Sequence, residues 1–212
     1  VKEILDKAGS VRIVNEKGTD IEIGIQGRKA MLDDGDFSKA GSGGNLPAGE
    51  TFISPALGSS NGRIAFDGSI STHDGVLIIQ IPIVVDVSDG FITEINGAEE
   101  ADKLAESIKL GEERALKYDK EGKLPAGSGE SYKRNARNLG ELGIGLNPKA
   151  EIVGRMLEDE KAHNTCHIAL GANYDEDAPA LIHLDGLITK PTITARLSDG
   201  KTKTIMEAGK LL

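Results

Sequence analysis

The stretch from Cys166 to Asp185, CHIALGANYDEDAPALIHLD, holds two of the chain's four histidines, His167 and His183, together with Tyr174 and Asp185. His183 and Asp185 stand one residue apart inside the apolar run Ala180–Ile188. In a strand, alternate side chains share a face, so this spacing aims an imidazole and a carboxylate the same way. Such a pair serves either as a structural polar pair or as two ligands of a metal ion. Two further carboxylates have distinctive surroundings. Glu50 closes Asn45-Leu46-Pro47-Ala48-Gly49-Glu50, and Glu141 lies among apolar residues and glycines in LGELGIG (139–145). A carboxylate in that setting is either exposed on a turn or buried with a partner, because an unpaired buried charge costs several kcal/mol. A cation would serve as that partner.

Other reactive residues have plainer readings. Cys166 precedes His167, so in a strand it faces the opposite way, as an inert core thiol. His163 in a loop and His73 beside Asp74-Gly75 read as surface residues. Gly41-Ser42-Gly43-Gly44 lacks a following Lys-Ser/Thr and reads as a flexible loop, not a phosphate cradle.

The elements that must position these groups are mostly strands. Residues 1–8 read as the tail of a helix stopped at Gly9. Val11–Val14 and Ile21–Ile25 flank Lys17-Gly18-Thr19 as a hairpin. Residues 33–50 are loop-like. From Thr51 to Ile95, Asn61-Gly62, Asp67-Gly68, Asp74-Gly75 and Asp89-Gly90 punctuate short strands, which predicts an antiparallel meander or partial barrel. Residues 98–117 form the one long helix, with Ala101, Leu104, Ala105 and Ile108 as its apolar stripe and Asn96 with Glu99 resembling a capping box. Residues 118–135 read as a polar loop, with a further short helix near 149–157. Ala180 to Ile205 returns to strands around an Asp199-Gly200 turn. The expected class is α+β, mainly antiparallel, with one long helix and a few short ones.

At 212 residues the chain suits a single domain, and 38% hydrophobic residues are enough for a core. With 3% aromatics and no Trp, that core must be built from Ile, Leu, Val and Ala. A net charge of -9 argues against nucleic acid as a partner. The single cysteine excludes an internal disulfide and fits a reducing compartment. The longest apolar run, Val76–Val87, is too short and too interrupted to span a bilayer, and no secretory signal precedes it. The expectation is a cytoplasmic protein with no membrane partner. The chain opens on Val1 without Met, which suggests a fragment or a processed product.

Four ordered blocks, NLPAGETFISP (45–55), NLGELGIGLNPKA (138–150), EDEKAHNTCHIALGANY (158–174) and LIHLD (181–185), resemble the thermophilic aminopeptidase family, the aminopeptidase T-type dinuclear metallopeptidases. Gly18-Thr19-Asp20 also resembles that family's entry to the same domain, so the resemblance spans the chain.

That resemblance implies two divalent metal ions, zinc, cobalt or manganese, held by Glu50, Glu141, His167, Tyr174, His183 and Asp185. It implies Glu160 as the base that takes a proton from the attacking water and passes it to the leaving amine. For Tyr174 it leaves two roles, a phenolate ligand or a hydrogen-bond donor to the oxyanion. The implied activity is removal of N-terminal residues from short peptides, in a possible homodimer. The alternative is a metal-binding domain without independent peptidase activity. The family also carries a separate N-terminal α/β domain, whereas this chain has almost nothing before its first strand, so that domain has been removed or the protein is a compact relative. The His167-to-His183 spacing is short for the family and implies a trimmed loop.

Overall fold

Isoleucine and valine recur at alternate positions along much of the chain, and the computed structural model, which describes residues 1–212, turns that pattern into fifteen strands and four helices. A single-turn α1 (Lys2–Leu5) leads into β1 (Ala8–Val14) and its hairpin partner β2 (Asp20–Gly24). Then come β3 (Met31–Asp33), β4 (Glu50–Ile53), β5 (Asn61–Phe66), β6 (Ser69–Thr72), β7 (Gly75–Ile78), β8 (Ile83–Ser88) and β9 (Phe91–Asn96). Helices α2 (Glu99–Lys120) and α3 (Gly129–Asn135) precede β10 (Leu139–Gly145), and α4 (Met156–Asp159) precedes β11 (Thr165–Gly171). The chain closes with β12 (His183–Thr189), β13 (Thr192–Leu197), β14 (Thr202–Glu207) and β15 (Lys210–Leu211).

These strands build two open antiparallel sheets. One runs β15-β14-β13-β1-β2-β5-β8-β9, the other β3-β4-β10-β11-β12-β6-β7. The inner faces meet in one core of aliphatic residues, with Phe66 of β5 lying against Gly186 of β12, where any side chain would collide with its ring. Helix α2 adds Ala101, Leu104 and Ile108 to that core, three residues of the predicted stripe. No helix is long and apolar enough to cross a membrane.

The mainly antiparallel α+β class holds, with one long helix and three short ones. Several local expectations need correction. The region 51–95 is not one meander: β4, β6 and β7 join the seven-stranded sheet while β5, β8 and β9 join the other, so the chain alternates between layers and closes no barrel. Asn61-Gly62 is not a turn but lies inside β5, paired with Glu22 and Ile21. Gly9 falls within β1, and the first helix gives way at Asp6. The capping box does not form, since Ala98 occupies the N-cap without a side-chain bond. Part of the predicted 118–135 loop folds as α3, and helix near 149–157 is confined to α4. The β8–β9 turn is the expected Asp89-Gly90, both at positive φ (49° and 77°), the geometry a tight hairpin requires.

Candidate metal centre

Four adjacent strands, β4, β10, β11 and β12, carry five of the six predicted ligands, and Tyr174 lies in the loop between β11 and β12. Ile53, Leu142, Ile144, Cys166, Ile168, Leu170, Leu184 and Ile188 point into the core, so the alternate residues Glu50, Glu141, His167, His183 and Asp185 share the opposite face. The His-x-Asp spacing thus aims both side chains one way. Cross-strand register sets the rest. His167 pairs with Gly143, and a Cβ at Gly143 would occupy the space of the His167 ring, so glycine there is a condition of the imidazole's position. Ala169 lies in register between Glu141 and Asp185, and its small side chain leaves room above it.

Glu141 is the hub. Its Oε1 lies 3.2 Å from His167 Nε2, and its Oε2 lies 3.2 Å from His183 Nε2. His183 Nε2 is also 3.2 Å from Asp185 Oδ1, and His167 Nε2 is 3.5 Å from Glu50 Oε2. His183 Nδ1 donates to the Ala172 carbonyl at 2.9 Å, which fixes the ring and turns Nε2 toward the carboxylates. Burial opposes ionisation of Glu141, but hydrogen bonds from His167 and His183 prevail and hold its pKa down to about 2. Burial likewise works against the imidazolium forms, yet Glu141 raises His167 to about 9, and Asp185 with Glu141 raises His183 to about 11. Glu50 goes the other way: burial pushes it up to about 7 despite His167 and Lys161.

Glu160 follows α4 directly. Asp159, fully buried, anchors that turn by accepting from the backbone N–H groups of Val153, Gly154 and Arg155 and from Ser69 Oγ. The Glu160 carboxyl, raised above its ordinary range by burial, lies within reach of His167 and Asp185. Lys161, unexposed, donates to Glu50 Oε1 at 2.6 Å and to Glu160, with Asp33 Oδ2 3.5 Å away. Sequence reasoning did not single out Lys161 or Asp33. The only local signal was a lysine beside Glu160, and its other partner lies 111 residues away.

Tyr174 stands at the rim, 54% exposed, its ring edge-on to His183 at 5.5 Å and tilted against Phe52 at 5.1 Å. Burial and the neighbouring carboxylates push its phenol above the usual range. Three groups of imidazole and carboxylate atoms lie close enough to share a metal ion: Glu50, Glu141 and His167; Glu141, His183 and Asp185; Glu160, His167 and Asp185. Exposure grades across the site, from 1% for the His167 side chain to 28% for His183, so access is from the His183–Tyr174 side.

The donor set fits a divalent cation. Imidazole and carboxylate oxygens suit zinc, cobalt, manganese or iron. Glu50 Oε2, His167 Nδ1 and Asp185 Oδ1 are buried without a hydrogen-bond partner, although the Asp185 atom stands 3.2 Å from an imidazole nitrogen. Orphaned buried polar atoms of this kind are costly unless something binds them. Cys166 faces the core with its thiol pKa raised by burial, and His163 is exposed, so neither joins the cluster. His73 is held by Ser107 on α2, away from these ligands. A concavity on the other sheet, lined by Ser10, Arg12, Glu22 and Thr194, gathers no metal-ligating group.

The model of the family described as 2,5-dihydroxypyridine 5,6-dioxygenase (NicX) matches residues 1–170, a span that contains Glu50, Glu141, Glu160 and His167 but ends before His183. Among solved structures, the chain is similar to 2,5-dihydroxypyridine dioxygenase from Pseudomonas putida KT2440, with a TM-score of 0.77 and 20% identity over 100% of this chain and 57% of that one. It is also similar to wild-type AmpT from Thermus thermophilus, with a TM-score of 0.71 and 20% identity over 99% of this chain and 51% of that one. This chain therefore spans little more than half the length of either. No curated protein sequence matches it. The aminopeptidase resemblance is met by one structural neighbour, while the matching family model carries the dioxygenase description.

Proposed function

The chain belongs to the 2,5-dihydroxypyridine 5,6-dioxygenase (NicX) family, and within it we propose a metal-dependent hydrolase, an aminopeptidase that removes N-terminal residues from short peptides at a pair of divalent ions. The observation that carries this reading is the placing of Glu141's two oxygens, Oε1 toward His167 in the group with Glu50 and Oε2 toward His183 in the group with Asp185. A carboxylate that faces both ways is what a bridged pair of ions needs. Charge points the same way. Glu50, Glu141, Glu160 and Asp185 are buried together, with Lys161 as the one buried ammonium, an acidic excess that divalent cations would offset.

When bound, such ions polarise a carbonyl oxygen and bring the pKa of a coordinated water near neutrality. The chain's own residues supply the remainder. Glu160, its carboxyl raised by burial, accepts a proton from the attacking water and returns it to the departing amine. Tyr174, its phenol kept protonated by burial and by the carboxylates around it, acts at the mouth as a hydrogen-bond donor to the oxygen that gains charge. Phe52 and Tyr174 pack together at that mouth. The likeness to AmpT supports this reading.

A second reading, ring opening of a dihydroxylated pyridine by a single ferrous ion and dioxygen, is favoured by the family description and by His167, His183 and Asp185, which match a two-histidine, one-carboxylate set. The two readings separate in one experiment. The protein loaded with cobalt or zinc is assayed on aminoacyl-p-nitroanilides, and the protein loaded anaerobically with ferrous ion is assayed for oxygen uptake on 2,5-dihydroxypyridine. The proposal expects chelator-sensitive anilide hydrolysis and no oxygen uptake; the converse establishes the second reading.

A further inference from the structure

Lys161 is the one lysine with no solvent exposure, and nothing in the mechanism above uses it. Its position is specific. The ammonium engages Oε1 of Glu50 and leaves Oε2 of the same carboxylate buried, unpartnered and 3.5 Å from His167 Nε2. The same ammonium holds Oε1 of Glu160, the carboxylate that otherwise groups with His167 and Asp185 as a third ligand cluster. We propose that Lys161 is a positioning residue that sorts the carboxylates: it restricts Glu50 to one oxygen as a ligand and keeps Glu160 out of the coordination shell as a proton acceptor. This inference rests on the reading of the site as a metal centre, although not on the identity of the substrate.

The physical argument is competition for carboxylate oxygens. A dication within reach of four acidic side chains gathers as many of their oxygens as geometry permits, and a carboxylate that is fully coordinated is a poor base. An ammonium buried beside Glu160 offsets that pull with charge of the same sign as the metal and with directional N–H donors. The backbone fixes the ammonium in place. Asn147 N–H donates to the Lys161 carbonyl at 2.9 Å, and Asp159 anchors the preceding turn. Asp33 Oδ2, 3.5 Å away, keeps the lysine charge from being wholly spent on the two glutamates.

The test uses cobalt as a spectroscopic ion in the intact protein, because the visible absorption of Co(II) weakens as coordination rises from four or five ligands to six. With Lys161→Met, Glu160 is released to the metal. The expected results are weaker visible absorption per cobalt, unchanged or tighter cobalt binding, and a fall in kcat of about 10²-fold or more with little change in KM. Glu160→Gln in the wild-type background should leave the cobalt spectrum unchanged, and adding it to Lys161→Met should reverse the part of the change that Glu160 causes, leaving only the part due to the freed Glu50 oxygen. A spectrum that changes in Glu160→Gln alone overturns the proposal, since Glu160 would then already be a ligand. So does Lys161→Met with an unaltered spectrum. Should Lys161→Met fail to fold, the Glu160→Gln spectrum still decides. A wild-type protein that binds no cobalt would instead remove the metal-centre reading itself.

Discussion

His167 and Gly143 face each other across the β10–β11 pairing, and the imidazole fills the space that any side chain at 143 would need. The site therefore depends on a residue with no functional group. Gly143→Ala is expected to push the His167 ring from Glu141 and Glu50 and to destabilise the fold by about 1–3 kcal/mol, the usual cost of overpacking. Thermal unfolding together with metal content by mass spectrometry checks this. A variant with wild-type stability and full metal content would show that the ring has another place to go.

Glu141 turns one oxygen to His167 and the other to His183, so its removal should act differently from loss of a ligand such as Glu50 or His183 that belongs to one group. Glu141→Ala is expected to abolish binding of both ions, whereas Glu50→Ala or His183→Ala should each retain one. Measured metal-to-protein ratios distinguish these cases. Equal loss in all three variants would indicate a single ion.

Metal binding should release protons. Without metal, His167 and His183 hold theirs up to about 9 and about 11, and only the neutral ring can ligate. At pH 7, binding is expected to expel about two to three protons, because both imidazoles must discharge and Glu50, held up to about 7, must ionise fully. Calorimetric titration in buffers of different ionisation enthalpy measures the number. Release of no protons would mean that the imidazoles are not ligands.

The same groups set the pH dependence of the metal-free fold. A raised imidazole pKa gives stability that is complete below its unfolded value of about 6.5 and is lost as pH climbs through the folded values. The metal-free protein should therefore lose stability from near neutrality up through about 9 and about 11, while the loaded protein, with neutral rings already bound, should not. The depressed Glu141 contributes in the opposite sense, its stabilisation disappearing only as pH falls through about 2. Melting curves of the two forms across this range would show parallel pH profiles if the imidazoles were not coupled to the metal.

Cys166 lies back to back with His167 on β11, within the core. Cys166→Ala should leave metal content unchanged and cost about 1–2 kcal/mol, as removal of one buried atom without loss of a ligand. A loss of metal would reassign the thiol.

What could be read in the sequence divides by range. His183 and Asp185 were legible because strand geometry alone puts i and i+2 on one face. The β1–β2 and β8–β9 hairpins were legible because their turns carry their own chemistry. Bringing Glu50, Glu141 and His167 to that face needed the register of three more strands, which no local pattern encodes; a family resemblance supplied it. The exchange of strands between two sheets across 51–95 was hidden because β-strand periodicity says which face is buried, not which sheet it joins. Lys161 was hidden for a similar reason. A lysine among Glu158, Asp159 and Glu160 looks like solvated charge until Glu50 and Asp33 arrive from far along the chain.

Anomalous scattering from crystals of the zinc- or cobalt-loaded protein tests directly whether a pair of ions shares Glu141. Two peaks are expected, one bounded by Glu50, Glu141 and His167 and the other by Glu141, His183 and Asp185. A single peak held by His167, His183 and Asp185, with Glu50 and Glu141 standing clear, would contradict that sharing.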